Sequence, residues 1–509
     1  MKKIFLLLAT SLLMVNSLQA LQTWDGTSSE SWTNGTGTET DPYLIETPAH
    51  LKYLSAQVAA GNTYEGVHFL QTDDFDLNSK TWTPIGTSTY KFAGVYDGGE
   101  KYISNLKTSQ YGLFGITENV KVKNISFQGT YNSSSAPVSA PLIGTAQGTT
   151  EIVNCHNLAT ITGACAGLIA SATGTSISLQ KCSNQSNIII SSGTAYSYVG
   201  GLIAQIGTTD FVVDACFNIG NISTTTSGYK QPDPNYADSY SYAYSGGLLG
   251  SVTSTGNKII SRCFNRANVK ASITAKYSYS QQDYLLSRNP YAGGFVGIGS
   301  GIRIISCYSK GTVESVSTGT NRGGASGFVN GTTEIIGCYM MGGNSIGSGI
   351  IESCYKIDPN SSGGTTTQTA TGSNFYSNTS DGIYKSDIAF KSPSMIPLLN
   401  TMDEFFAMDL DGINDGYPIL KWQAGTRYNI NATCDPARGT VKGGGEYAMG
   451  NTVTLTATPK YGSIFVGWSD GNTDNPRTIT VEGDANYIAQ FTKSAYTIYV
   501  NQDGTSYVE

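Results

Sequence analysis

The sequence predicts an all-β chain: a right-handed parallel β-helix (solenoid) with small helical caps, followed by a small β-rich module. Three observations carry that expectation. Residues of one kind recur at fixed offsets from seven cysteines, and short β-branched runs alternate with Gly, Asn, Ser and Thr. Charged residues make up only 13% of the chain, about half the usual share. Long charged helices therefore have little to form from, whereas stacked strands have a great deal.

The repeat comes first. Cys155, Cys182, Cys216, Cys263, Cys307, Cys338 and Cys354 each follow an apolar residue three positions earlier: Ile152, Leu179, Val213, Ile260, Ile304, Ile335 and Ile351. The first five are followed, six positions later, by Ile161, Ile188, Ile222, Val269 and Val313. Upstream stands a Gly-rich apolar tetrapeptide, beginning at Gly167, Gly201, Gly247 and Gly294, and 15, 15, 16 and 13 residues separate that glycine from the cysteine. The return from cysteine to the next glycine takes 19, 31 and 31 residues in the first three of these units, so one half of the unit is framework and the other accepts insertions. Runs such as 151–155, 211–216 and 258–263 read as strands between tight corners. A unit of two or three short strands cannot bury its apolar face alone, but stacked units make a continuous core with strands about 4.8 Å apart. Crossover chirality makes the coils right-handed. A β-sandwich is the competing reading, and it gives no reason for fixed offsets of one residue type from its neighbours.

The remaining segments fall around this array. Lys2 and Lys3, the apolar run 4–15 and the small-residue exit 17–20 predict a signal peptide over 1–20 and export of the rest, with no membrane span after its removal. Thr47 suits an N-cap with Pro48 in the first turn, and Leu51, Leu54 and Val58 are spaced for a helix that Gly61 ends. Residues 21–125 are thus an N-terminal capping region with the first coils, and 126–375 the repeats. At 376–425 a second cap is expected, from helical spacing broken by Pro393 and Pro397. Alternating runs at 428–432, 452–458, 464–468, 477–481 and 487–491 make 426–493 the β-rich module. Residues 494–509 are a tail or the start of a further repeat.

Gly112-Leu113-Phe114-Gly115 and the tetrapeptides at 247–250 and 294–297 resemble the GLUG repeats of bacterial surface proteins, which include adhesin-like proteins and the non-catalytic regions of immunoglobulin A peptidases. Ala170, Ala204 and Asn330 replace the final glycine, and Pro141 the first, in degenerate copies. Residues 37–45, 82–86 and 92–98 are similar to what precedes such repeats. The resemblance spans most of 35–425 and implies a β-helical surface protein, without itself implying a reaction. Gly439-Thr440-Val441, Gly443-Gly444-Gly445, 453–459 and Phe465-Val466-Gly467-Trp468 closely resemble the divergent internalin B-type repeat. That resemblance implies a compact β-grasp-like spacer or adhesive module over about 428–493.

The chemistry expected is sparse. A net charge of −7 with no basic block excludes a phosphate-backbone binder, so nucleic acid is not a partner. Cysteines recurring once per coil are expected to form a structural ladder of inward thiols, because stacked positions lie about 4.8 Å apart while disulfides favour Cβ atoms near 3.8 Å. Some disulfides, or a metal, are the less favoured readings. Asn157, Asn184, Asn218 and Asn265 are expected to form a matching ladder at a corner, where Asn tolerates left-handed backbone. The three histidines, His50, His68 and His156, form no HExxH pair, so the zinc-peptidase chemistry found beside the resembling repeats is not expected. Gly343–Gly347 matches a nucleophile-elbow string without a later histidine, and Gly297–Gly301 lacks the strand-to-helix setting of a dinucleotide loop. Ten carboxylates lie in 141–360 and none recurs at coil spacing. No catalytic residue and no cofactor are expected. Asp409, Asp411, Asn414 and Asp415 offer oxygens for Ca²⁺ but lack the terminal Glu of an EF-hand, and a plain solvated turn is the stronger reading.

Tyrosine is the remaining signal. Tyr196 and Tyr198, then Tyr229, Tyr236, Tyr240, Tyr242 and Tyr244, then Tyr277, Tyr279, Tyr284 and Tyr291 precede three successive tetrapeptides, and all but Tyr229 and Tyr291 are put forward as binding residues. They are expected on inserted loops within 190–199, 223–245 and 270–292, outside the stacked framework. Tyr with Ser, Gly and Asn is a composition of recognition loops, since Tyr brings large amphipathic area at low entropic cost. Aromatic cover for an exposed coil edge is the competing reading. The expected function is a non-enzymatic, adhesin-like binding protein at the surface or exterior of a bacterial cell, taken as Gram-negative, with a host or matrix glycan or protein as partner. A polysaccharide lyase or glycoside hydrolase on the same scaffold, and a structural stalk, are the alternatives.

Overall fold

Stacking is visible as register. In a computed structural model, which describes residues 21–135, 138–192, 196–226, 240–274, 287–317, 324–341, 348–358, 383–401, 403–425, 427–448, 451–494, 498–500, 502–504 and 506–508, Ile152 pairs in parallel with Leu179, and then Val213, Ile260, Ile304, Ile335 and Ile351 follow in turn. The column continues back through Val122, Tyr96 and Phe69 to Tyr43. Every member from Phe69 onward is buried in one continuous core. A second column runs through the tetrapeptides, from Phe114 through Ile143, Ile169, Ile203 and Leu249 to Val296. The described chain divides into two units, the first a parallel β-helix ending at Asp387 and the second beginning at Ile388. The signal segment 1–20 lies outside the described residues.

Each coil turns a corner just before its cysteine. Lys181, Ala215, Arg262, Ser306 and Ser353 have φ between 51° and 54°, and Gly337 has φ 59°. The left-handed residue is therefore the one preceding Cys, and not the asparagine two residues beyond it as the sequence led us to expect. The ladder asparagines sit instead in extended strands such as Phe217–Asn218 and Phe264–Asn265. The corner leaves the cysteine N–H facing the next thiol: Cys182, Cys216, Cys263 and Cys307 each donate to Sγ of the following cysteine at 3.3 Å. All seven ladder cysteines are free and buried.

The asparagine amides form a second buried ladder. Asn157 Nδ2 donates to Asn184 Oδ1 (2.7 Å), Asn184 to Asn218 (2.8 Å) and Asn218 to Asn265 (3.0 Å). The first glycine of the tetrapeptide lies against this ladder. A Cβ on Gly201 would fall 2.0 Å from Gly247 O and 2.7 Å from Asn218 Cγ, so no larger residue fits there.

The half of the coil read as insertion is largely framework. Ile188–Ser192, Ile222–Thr226, Val269–Ile273 and Val313–Ser317 form one parallel sheet, and Tyr196–Gly200, Tyr240–Gly246, Ser287–Gly293 and Gly324–Ser326 another. Between them lies a second, narrower core that includes Ile188, Ile222, Val269, Val199, Ala243 and Ala292. This corrects the expectation that 190–199, 223–245 and 270–292 stand outside the stack. Their two ends are strands, and the stretches between those strands lie outside the described residues.

At the N-terminal end, helix Pro48–Ala59 is capped by Thr47, whose Oγ1 accepts the His50 N–H at 3.2 Å, and it buries Leu51, Leu54 and Val58. Trp24 and Trp82 pack edge to face beside it, 5.5 Å apart. Strand Ile383–Ser386 adds in parallel to Tyr355–Asp358 at the other end.

In the second unit all five expected strands of the β-rich module are present, with Gly439–Lys442 and Gly445–Ala448 in addition. They form a four-stranded and a three-stranded sheet over a core of Ile430, Leu455, Trp468, Val481 and Ala489. The outermost segments in sequence, Arg427–Cys434 and Ala485–Lys493, pair in parallel at the centre. Ile498–Val500 and Ser506–Val508 pair as a separate hairpin. Among the described residues no helix is long and apolar enough to cross a membrane.

Candidate functional site

The outer face of the tyrosine-bearing sheet is the candidate site. Along its strands Ser197, Val199, Ala243, Ser245 and Ala292 point inward and are buried, which places Tyr196, Tyr198, Tyr242, Tyr244 and Tyr291 on the opposite face. Small inward residues let the two sheets of the narrow core approach closely. Ser197 and Thr224 hydroxyls bond across it at 2.7 Å.

Parallel register then aligns the rings. Tyr196 pairs with Tyr242, and Tyr198 with Tyr244 and, one coil on, Tyr291. Ring centroids lie 5.1 Å apart for Tyr196–Tyr242, stacked at 11°, and 5.4 and 5.8 Å apart for Tyr198–Tyr244 and Tyr244–Tyr291. Tyr196 is 51% exposed, whereas Tyr244, in the middle of the row, is only 9% exposed. Burial raises the Tyr198 phenol above its ordinary pKa, with Tyr196 and Tyr242 adding to the effect. Burial, then Tyr198, Tyr242, Tyr291 and Tyr196, raises Tyr244 further. Both stay neutral hydroxyls over the physiological range.

The row borders an open groove of about 810 Å³. Tyr198, Tyr244 and Tyr291 line it together with residues that follow or end the tetrapeptides, among them Thr253, Ser300 and Asn330. Gly324 occupies the register position after Tyr291, so the row stops there and leaves space. No Asp, Glu, Lys, Arg or His is among the described residues lining the groove. A smaller cavity of about 130 Å³ lies between Tyr196, Tyr198, Ile190 and Cys165.

Of the residues singled out from sequence, Tyr196, Tyr198, Tyr242 and Tyr244 come together here, on strands instead of the loops expected. Tyr240 begins its strand opposite Ser287. Tyr236, Tyr277, Tyr279 and Tyr284 lie outside the described residues. Tyr291, noted with the third group of tyrosines but not put forward as a binding residue, joins the row. A further stack was also missed: Phe217, Phe264, Tyr308 and Tyr339, each immediately after a cysteine, lie 4.8 to 5.0 Å apart with interplanar angles of 4 to 7°. The recurring aromatic at that offset was a legible signal.

Among the described residues, solenoid carboxylates are engaged separately, each by its own partner. Glu151 pairs with Lys121, Glu314 with Lys270 and Glu334 with Arg303, each across neighbouring coils, and Asp214 takes the Arg262 guanidinium. Asp210 accepts the Asn257 N–H at 2.6 Å. In the second unit, Asp409 accepts backbone N–H groups of Ile413, Asn414 and Gly416 at 2.7 to 2.9 Å, and Asp411 bonds Arg427. Of the oxygens considered for Ca²⁺, those of Asp409 and Asp411 are thus engaged by the protein's own donors. No group of three or more His, Cys, Asp or Glu among the described residues could hold a metal ion.

Comparison with known proteins adds the following. Over 115 residues the chain is 34% identical to a "Putative Gly-rich membrane protein" of Evansella cellulosilytica, a match covering 20% of this chain and 13% of that protein's length. Among solved structures, that of "a putative immunoglobulin A1 protease from Bacteroides ovatus" is similar at a TM-score of 0.37 and 16% identity, over 77% of this chain and 95% of that one. The β-helix assignment rests on the register above. Residues 415–495 match the divergent InlB B-repeat model, which takes in the seven strands from Arg427 to Lys493, and this part of the chain is a divergent InlB B-repeat domain.

Proposed function

We propose that this chain is an exported, non-enzymatic binding protein of the bacterial cell surface or exterior, in which a GLUG-type solenoid presents its tyrosine face to a glycan or protein. The observation that carries this reading is the row of tyrosines aligned by register beside a groove with no Asp, Glu, Lys, Arg or His among its described lining residues. Aromatic rings flanked by Ser, Thr and Asn supply contact area and hydrogen bonds, which suits recognition. The carbohydrate-active alternative in its usual form would need a carboxylate pair, and the described lining residues include no carboxylate. The basic and apolar segment 1–20 supports export.

The test is a screen of the purified protein against matrix proteins and a glycan array, with product analysis for cleavage. It compares the parent with a Tyr196→Ser, Tyr198→Ser double variant. Tyr196 is half exposed and Tyr198 only partly buried, packed against the edge of the narrow core, so the variant should keep its far-UV spectrum with a modest drop in melting temperature while losing affinity at least several-fold. Unchanged affinity would remove the tyrosine face from the reading, and release of a saccharide product would replace it with the carbohydrate-active alternative.

A further inference from the structure

We infer that the groove takes a neutral glycan chain, lying along the solenoid axis across Tyr198, Tyr244 and Tyr291; this deepens the binding reading above and rests on it. Three features of the groove select that ligand over a protein epitope or an acidic polysaccharide.

The first is shape. A volume of about 810 Å³ falls in the range of small-ligand clefts, roughly 300 to 1,000 Å³, whereas a stable protein interface needs about 800 Å² of surface on each partner. The long direction is set by the fold, because the three tyrosines come from successive coils with centroids 5.4 and 5.8 Å apart. A strip of rings extending over two strand spacings can carry consecutive sugar units, each offering an apolar C–H face to a phenol.

The second is the polar rim. Thr253, Ser300 and Asn330 line the groove beside the rings. The Asn330 amide is held from behind, its Nδ2 donating to Ala292 O at 2.6 Å and Gly297 O at 2.9 Å. Its Oδ1 is thereby fixed toward Gly324, 2.8 Å from where a Cβ on that glycine would stand. A preoriented acceptor beside an aromatic strip matches sugar hydroxyls, which both donate and accept.

The third is charge. A uronate or sulfate entering the groove would lose hydration, and the described lining residues offer no cation in return, which is unfavourable for a charged ligand and indifferent for a neutral one. Gly324 also supplies the room: it stands in register with Tyr291, and a tyrosine there would continue the row into the groove.

The experiment titrates the full chain with neutral linear hexamers of glucose, mannose and galactose, with the galacturonate hexamer, and with matrix proteins. The same titrations are run on Tyr198→Ser and Gly324→Tyr. The expected result is that at least one neutral hexamer binds and that its affinity falls tenfold or more in both variants, with melting temperatures near the parent's. Gly324→Tyr keeps every existing ring but pushes the Asn330 amide aside, since its Cβ would stand 2.8 Å from Oδ1, so it tests the open end of the groove and the Asn330 acceptor together. Binding of the galacturonate hexamer alone, or a neutral hexamer bound equally by parent and Gly324→Tyr, overturns the assignment. A matrix protein whose binding Tyr198→Ser abolishes, with no neutral hexamer bound, overturns the glycan class while leaving the binding face in place. If the parent binds neither saccharide nor protein, both fail together.

Discussion

Replacing Asn218 by Ala removes a rung from the middle of the buried amide ladder. The side chain is fully buried and takes part in three hydrogen bonds: it accepts from Asn184 Nδ2 at 2.8 Å and donates to Asn265 Oδ1 at 3.0 Å and Gly220 O at 2.9 Å. Asn184 retains its bond to Ser186 O, and Asn265 retains a long one from the Ala267 N–H. Each lost bond costs about 1 kcal/mol net, and a buried group left unpaired a further 1 to 3 kcal/mol, so the expected destabilisation is about 3–6 kcal/mol. Asn157 gives a single inter-coil bond, to Asn184, and accepts the Ala159 N–H at 3.3 Å, so by the same arithmetic Asn157→Ala should cost about 2–5 kcal/mol, less than Asn218→Ala by one bond. Asn218→Asp keeps the shape but turns an acceptor toward two oxygens. Its carboxyl should have a folded-state pKa above the unfolded value of about 3.9. Stability is then greatest below that value and is lost as pH rises through the folded pKa, so Asn218→Asp should fall further below the parent at pH 7 than at pH 4. Urea unfolding followed by far-UV circular dichroism at both pH values measures all three variants. If Asn218→Ala stays within about 1 kcal/mol of the parent, or costs no more than Asn157→Ala, the ladder is not what holds neighbouring coils in register.

Three further outcomes are expected. Gly201→Ala should lower the melting temperature by many degrees, because its Cβ meets backbone at 2.0 Å, while Gly207→Ala, whose nearest contact would be Thr253 Oγ1 at 3.6 Å, should change it little. His156 is bonded through Nδ1 to Ser183 (2.9 Å) and Nε2 to Asn154 (3.0 Å), and burial holds its pKa below the ordinary value against a smaller opposing effect of Cys182. The unfolded chain therefore binds the proton first, and stability should drop as pH falls below about 6.5; His156→Gln, measured by the same unfolding assay, should lack that increment. Alkylation followed by mass spectrometry should label half-buried Cys434 in the native protein and the eight buried cysteines only after denaturation; three disulfides among the ladder members would refute the thiol ladder.

The two halves of the coil differ in how far they could be read. Ile152 and its successors were legible because a buried parallel column admits few residue types, so the sequence repeats them. The same logic exposed the cysteines, but not why cysteine stands there. That reason is the corner, which turns the cysteine N–H toward the next thiol, and the corner residue varies among Asn154, Lys181, Ala215, Arg262, Ser306, Gly337 and Ser353. A position fixed by backbone geometry and free in side chain leaves no trace in a single sequence. The tyrosine strands were hidden for a different reason. They alternate Tyr with Ser or Ala, and the narrow core accepts such small residues, so the pattern has the composition of a loop. In the InlB-type domain the alternation is between apolar and polar residues, and its main strands were legible almost to the residue.

The tyrosine face follows from the rule that built the interior. A parallel coil copies each position onto the next at one strand spacing, so a residue type repeated at coil period becomes a row: thiols, amides, the Phe217 to Tyr339 rings and the outer tyrosines are four cases of it. What separates the outer row is how it ends. The thiols run through seven coils, whereas the position of Tyr196 and Tyr242 becomes Asn289 on the third strand, and that of Tyr198, Tyr244 and Tyr291 becomes Gly324 on the fourth. A row serving only to cover a coil edge would gain from continuing, since each added ring buries more apolar area. Stopping it at a glycine gives up that gain and leaves open space at the end of the strip. Outward positions on these strands can change without disturbing the inward Ser, Ala and Val, so under the binding function proposed above the face could be altered one residue per coil while the solenoid stays as it is.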